Sequence, residues 1–342
     1  MKAVRIHKHG GPEVLKVEQV EDPKPAGDEV LVEVKACALN HLDLWVRKGI
    51  PGQRFPLPLI PGSDVSGVVK QVGSEVKGIR PRDRVVVQPG LSCQRCAHCL
   101  AGDDNLCRSY GILGENRNGG CAELLAVPSI NIIPLREGIS FEEAAAVPLT
   151  FLTAWHMLVA RARVRPGDDV LIHAAGSGVG VAALQVAKLH GARVIVTAGS
   201  DAKLKRAKDL GADDLINYKK YDFYDEVRRV TGKRGVDIII DSVGADVWHR
   251  DLKLLKQGGR VVTCGVTSGF EVTTDIRYIF FRNLAILGST MGSKSELLEI
   301  MRLVEKKALK PVVDGVFDME KVADAHRRLE GRKAFGKVIV KI

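Results

Sequence analysis

At 342 residues, 45% hydrophobic and 27% charged, the chain is long enough for two domains with separate cores. No apolar run approaches a membrane span, and the opening MKAVRIHKHGG lacks the apolar stretch of a signal peptide, so a cytoplasmic protein without membrane contact is expected. The net charge of +10 comes from 51 basic residues interleaved with 41 acidic ones and no basic tail, which fits a solvated surface attractive to an anionic cofactor, with no nucleic acid expected.

The first stretch reads as all-β. Val4–Ile6, Val14–Val17 and Glu29–Lys35 alternate or run β-branched between Gly and Pro breaks, and Val68-Val69, Val85–Val87 and Leu124–Val127 continue the pattern. Short strands with irregular loops predict a compact barrel-like domain to about residue 125. Within it Cys93, Cys96, Cys99 and Cys107 stand at spacings of 3, 3 and 8 in a polar loop. Seven cysteines in a cytosolic-looking chain argue against a disulfide scaffold, and four thiolates from one short loop can close a tetrahedral zinc shell. A closed shell leaves no position for water or substrate, so one structural zinc per chain is expected.

Segments 142–146 and 150–162 look helical, and Arg165-Pro166-Gly167 turns into the apolar run Val170-Leu171-Ile172. There follow a turn, Gly176-Ser177-Gly178-Val179-Gly180, apolar residues at helical spacing to Leu189, Gly191 as a helix end, and a second buried run at 193–197. Strand, glycine turn, helix and strand within roughly thirty residues form a βαβ unit. Its turn suits a pyrophosphate, because glycines allow close backbone approach and the helix N-terminus offers free N–H groups. Strands and helices then alternate: helix 201–210, strand 215–216, helix 224–231, strand 236–241, helix 246–255, and strands 260–264 and 284–288. That rhythm predicts a doubly wound parallel sheet. A last segment, with helices at 294–306 and 320–329 and strands at 312–317 and 337–342, either extends this sheet or returns to the first domain.

An N-terminal β domain, this four-cysteine lobe and a central βαβ unit resemble the medium-chain dehydrogenase/reductase superfamily, the zinc-type alcohol dehydrogenases and quinone oxidoreductases. The likeness spans the chain and includes Gly62–Gly67 (GSDVSG), Gly78–Arg84 (GIRPRDR), Gly119–Glu123 (GGCAE) and Gly336-Lys337-Val338. It implies an α/β architecture: a GroES-like β-barrel catalytic domain over 1–150 with the zinc lobe at 93–107, a Rossmann domain over 151–285, and a C-terminal segment, 286–342, returning to the catalytic domain. It also implies an active site in the cleft between domains. In the family's alcohol dehydrogenases a cysteine, the histidine of a Gly-His-Glu motif and a second cysteine hold a catalytic zinc. The aligned positions here are Asn40, Ser63 and approximately Leu149, and the residue that starts the proton relay falls at Leu42. Asn, Ser and Leu are not a zinc ligand set, so no catalytic zinc is expected, although Asp64 and His41 stand nearby.

The segment 38–49 instead resembles the zinc-independent quinone and enone reductases, with Asn40, Asp43 and Arg47 at matching places. Without a Lewis acid, hydride transfer needs positioning and hydrogen-bond donors for the developing oxyanion. Asn40 is the expected donor, Asp43 or Arg47 its orienters, and His41 a proton donor or a contact to cofactor phosphates. A turn Asn, a helix N-cap and an i, i+4 surface pair are the plain alternatives. Where a NAD site carries an acidic residue the chain has Ala198-Gly199-Ser200, with Asp201 better suited to capping the next helix. Ser200 and Lys203 suit a 2′-phosphate, with Arg206 and Lys219 more distant, so NADP(H) is favoured over NAD(H). Val243, Gly265 and Val266, at later strand ends, are expected to flank the nicotinamide half, and Lys337 to contact the cofactor. The function expected is NAD(P)H-dependent reduction of a conjugated carbonyl, a quinone or enone, by a homodimer or homotetramer. The alternatives are an alcohol dehydrogenase, and a non-catalytic cofactor- or RNA-binding protein on the same fold.

Overall fold

The strand Glu29–Leu39, EVLVEVKACAL, is the spine of the first structural unit, and its burial on nearly every side chain explains its apolar run. Eleven residues are long enough for one edge to be shared. Residues 29–33 pair antiparallel with Leu124–Pro128, residues 36–39 with Lys337–Lys341, and the other edge runs against Asp64–Val72. Lys337–Lys341 in turn lies parallel to Val313–Asp318, while Asp64–Val72 continues to Arg84–Val87 and Ile132–Pro134. The sheet therefore extends past residue 125, where sequence patterning ends it, and takes in two strands from the chain terminus. Its core holds Val32, Val34, Leu39, Val65, Val85, Val87, Val338 and Val340, all essentially inaccessible.

The computed structural model describes all of residues 1–342 and divides them into two compact units. The first comprises Met1–Leu149, Ser293–Lys307 and Pro311–Ile342; the second comprises Thr150–Gly292 and Ala308–Lys310. The second unit thus runs past residue 285 and keeps the whole strand Ala285–Gly288.

That unit is a six-stranded, all-parallel sheet in the order Asp214–Asn217, Arg193–Ala198, Asp169–Ile172, Val236–Asp241, Leu255–Thr263, Ala285–Gly288. This is the 3-2-1-4-5-6 order of a doubly wound fold, whose switch point lies beside the first strand. Val170, Leu171 and Ile172 in that strand are wholly buried, as a two-sided environment requires. Two local features differ from the sequence expectation. The helix expected over 150–162 is α-helical only over Pro148–Trp155 and widens to a π-helix over His156–Arg161. A helix at Ile276–Phe281 was not expected, because Ile276, Phe280 and Phe281 are exposed and no buried apolar stripe marks it.

Candidate active site and metal centre

Asn40 ends the spine strand, and its extended backbone makes it the N-cap of the helix His41–Lys48. The side chain does not face open solvent. Its Nδ2 donates to Asp64 Oδ2 at 3.0 Å and approaches Ala38 O at 3.4 Å, while its Oδ1 accepts from Lys337 Nζ. Lys337 Nζ also donates to Asp64 Oδ2 at 2.9 Å, and Asp64 Oδ1 accepts from the Leu149 N–H at 2.9 Å. Asp64 is fully buried, and Lys337 and Asn40 are 4% and 5% exposed. Sheet pairing explains the convergence: Ala38 lies opposite Asp64, and Leu39 opposite Val338. Two of the three positions aligned with zinc ligands, Asn40 and Leu149, therefore bond to one carboxylate, and the third, Ser63, precedes it in the chain. The Ser63 hydroxyl is buried with no protein partner.

Asp43, also buried, does not face outward either. Its Oδ2 accepts from Asn40 N at 2.7 Å and its Oδ1 from Gly62 N at 2.9 Å, tying the helix start to the GSDVSG loop. Burial pushes its carboxyl up to about 6, despite those two donors. Gly62 has φ +100°, and a Cβ there would lie 2.4 Å from Cys37 Sγ and 2.9 Å from Cys121 Sγ, so only glycine fits. His41 is half-buried, and burial followed by the charges of Lys337, Arg332 and Lys48 lowers its imidazole to about 4. It is neutral at neutral pH. Arg47, fully buried, bonds Gly10 O at 3.2 Å and Glu330 Oε2 at 2.9 Å, so it anchors the helix rather than orienting Asn40.

In the second unit, Ser177 is the N-cap of the helix Gly178–Leu189, its Oγ accepting from Gly180 N at 2.9 Å. Gly180 permits the turn to close, since a Cβ there would lie 2.4 Å from Ala174 O. The N–H groups of Gly178 and Val179 have no helical acceptor, as an anion site at a helix start requires. These residues fit a dinucleotide's pyrophosphate. Ser200, not Asp201, caps the helix Asp201–Asp209, accepting from Lys203 N at 3.4 Å, while Asp201 takes Asn217 Nδ2 and Lys220. A Cβ on Gly199 would meet Tyr218 at 2.7 Å and Lys219 at 3.3 Å, so both overlie the end of Arg193–Ala198. Tyr218 was missed from the sequence; the usable signal was the parallel pairing of its strand with Arg193–Ala198. Val243 and Gly244 donate their N–H groups to Asp241 Oδ1, and Ser268 bonds Val243 O at 2.7 Å, locking the loop that carries Val243 to the one that carries Gly265 and half-exposed Val266.

The sulfurs of Cys93, Cys96, Cys99 and Cys107 all lie within 4.8 Å of one another. Cys93–Cys99 and Cys96–Cys99 are 3.9 and 3.5 Å apart. Tetrahedral zinc with bonds of about 2.3 Å places its sulfurs roughly 3.8 Å apart, so the cluster fits it. N–H groups of Arg95 and Cys96 lower the Cys93 thiol to about 6, which prepares a thiolate. Asp104 ties this lobe to the helix Lys294–Glu305 by accepting from Lys294 N at 2.9 Å.

Comparison with known proteins accords with both units. Residues 26–137 match the family "Alcohol dehydrogenase GroES-like domain" and residues 178–306 match "Zinc-binding dehydrogenase". A quinone oxidoreductase from Mus musculus is 33% identical, over 99% of this chain and 97% of its own. The chain belongs to the medium-chain dehydrogenase/reductase superfamily. An NAD-dependent alcohol dehydrogenase from Sulfolobus acidocaldarius is likewise 33% identical, over the full length of both chains. A crystal structure described as an NAD-dependent alcohol dehydrogenase superposes with a TM-score of 0.96 at 54% identity, covering both chains entirely. The medium-chain dehydrogenase described here is thus an oxidoreductase with a GroES-like domain and a Rossmann-type sheet. Its sequence motifs located the turn, the thiols and Asn40, but not the bond network that joins Asn40, Asp64 and Lys337.

Proposed function

We propose that this medium-chain reductase transfers a hydride from NADPH to a conjugated carbonyl compound, a quinone or enone, without a catalytic zinc. The observation that carries the reading is the set of side chains around Asp64: an amide, a hydroxyl and a leucine backbone, with a lysine ammonium, and no thiolate or imidazole. Asp64 already accepts three hydrogen bonds, so its lone pairs are committed. Cys93, Cys96, Cys99 and Cys107 would hold one structural zinc per chain, whose filled shell fixes the loop. A bound reduced nicotinamide supplies the hydride. The turn 176–180 binds its pyrophosphate, and Ser200 and Lys203 bind the 2′-phosphate; Val243, Gly265 and Val266 border the nicotinamide half. Asp43 holds the helix start and the GSDVSG loop together. His41, being neutral, is better suited to a hydrogen bond than to delivering a proton. The enzyme would act in the cytoplasm as a homodimer or homotetramer.

A second reading, an NAD(H)-dependent alcohol dehydrogenase, is favoured by the relatives at 33% and 54% identity that carry that description. Matched assays decide between them. NADPH and NADH oxidation is followed with quinones, enones and aldehydes, together with NADP⁺ and NAD⁺ reduction by alcohols, and metal content is measured on the same preparation. About one zinc per chain and NADPH-linked turnover of quinones or enones are expected; two zincs per chain, or turnover confined to alcohols and aldehydes, would reverse the assignment.

A further inference from the structure

We propose that Lys337 is a catalytic residue whose ammonium donates a hydrogen bond to the substrate's carbonyl oxygen as negative charge develops there. It rests on the zinc-free reduction proposed above. The argument is a count of donors. Asn40 Nδ2 carries two hydrogens, and both have acceptors, Asp64 Oδ2 and Ala38 O. Asp43 offers no donor when ionised, and its two oxygens are held by Asn40 N and Gly62 N. His41 is neutral. Lys337 carries three N–H bonds and has two protein acceptors, Asn40 Oδ1 and Asp64 Oδ2. The third has none. The residue that the sequence suggested as donor is therefore occupied, and the one beside it has a hydrogen to give.

Charge and burial point the same way. A lysine 4% exposed against an aspartate with no exposure is costly to desolvate, and an apolar pair of equal size often stabilises a fold as well or better. With Asn40 neutral, the trio has no net charge, so an oxyanion brought to it meets an ammonium that is already oriented and need not reorganise. The trio also occupies the ground around the metal-ligand positions, since Asn40 and Leu149 both bond Asp64. Lysine is the cation present there.

In the reaction, the hydride with its electron pair bonds to the β-carbon of the C=C–C=O unit, and the π electrons shift to the oxygen. The resulting enolate is held by the Lys337 N–H. A proton from water then adds to the α-carbon, and NADPH leaves as NADP⁺. Lys337 keeps its proton throughout.

The test separates this role from a contact to the cofactor's phosphates. Lys337→Met is expected to lower the single-turnover hydride-transfer rate about 10²–10³-fold, with the NADPH Kd, read by fluorescence titration, changed less than about threefold. Lys337→Arg is expected to recover part of the rate. Because Lys337→Met leaves Asp64 buried and unpaired, the double variant Asp64→Asn/Lys337→Met removes both charges and is expected to fold with the same loss. A readout without turnover uses 4-nitrophenol bound to the NADP⁺ complex at a pH below its solution pKa. Wild type should bind it with the absorbance of the phenolate, and the variants as neutral phenol. A weaker NADPH Kd with an unchanged hydride rate overturns the proposal, as does a probe that wild type binds only as phenol or not at all. Failure of wild type to reduce quinones or enones would sink the underlying reduction instead, and the phenolate spectrum would still decide whether Lys337 meets an oxyanion.

Discussion

At the scale of single residues, the side chains around Asn40 divide into those that hold and those that can give. Asp43 holds: its two oxygens tie a helix start to a loop, and its carboxyl is raised from 3.8 to about 6 by burial. A carboxyl whose folded pKa is raised favours the folded state below its unfolded pKa, and that advantage is lost as pH rises through the folded value. Wild type should therefore lose stability relative to Asp43→Asn between about pH 4 and pH 6, by an amount on the order of 2–3 kcal/mol. Urea midpoints of the two proteins across that range measure it; parallel curves would show that Asp43 is ionised without penalty. Glu330 behaves oppositely, since hydrogen bonds from Lys48 and Arg47 hold it down to about 2, so its contribution is lost only in stronger acid. Asn40, Asp43 and Arg47 could be picked out from their spacing, but their spacing said nothing about which of their hydrogen bonds were already used.

At the scale of elements, helix starts carry the anion chemistry, and both relevant starts are capped by serine. Ser177 and Ser200 each accept an N–H from the third residue on, leaving the hydroxyl hydrogens available. Ser200→Asp keeps a side chain that caps equally well, so the helix Asp201–Asp209 should persist while a carboxylate is placed where the 2′-phosphate is expected. The kcat/KM for NADPH should fall about tenfold or more and that for NADH should rise, as carboxylate repels phosphate and bonds ribose hydroxyls. Unchanged cofactor preference in steady-state kinetics would remove Ser200 from the cofactor site. The alternation of strands and helices was legible because buried parallel strands need continuous apolar runs and their helices need one apolar face. The helix Ile276–Phe281 was not, because exposed aromatic residues follow no burial period.

At the scale of the whole molecule, the parallel sheet ends in an open edge. Ala285–Gly288 pairs on one side only, with Leu255–Thr263, and Ile286 is 38% exposed. An unpaired apolar edge is a template for another strand, which accords with the proposed homo-oligomer. Light scattering after gel filtration should give at least a dimer, and Ile286→Lys should shift the population toward monomer. A monomeric wild type at micromolar concentration would contradict the assembly.

Local order and chemical identity were readable from the chain alone: a βαβ unit from its hydrophobic period, a zinc-binding lobe from four cysteines, and a superfamily from motifs spread over its length. Each depends on residues near one another in sequence, where spacing constrains geometry. Tertiary structure decided what spacing could not. Lys337 meets Asn40 only because the last strand pairs with the spine strand, and Asp64 reaches both because a third strand lies on the other edge. Whether a buried donor is already satisfied depends on partners almost three hundred residues away. The site's cation was therefore visible in the sequence as one lysine among many, and became a candidate catalytic group only when the sheet brought it to Asp64.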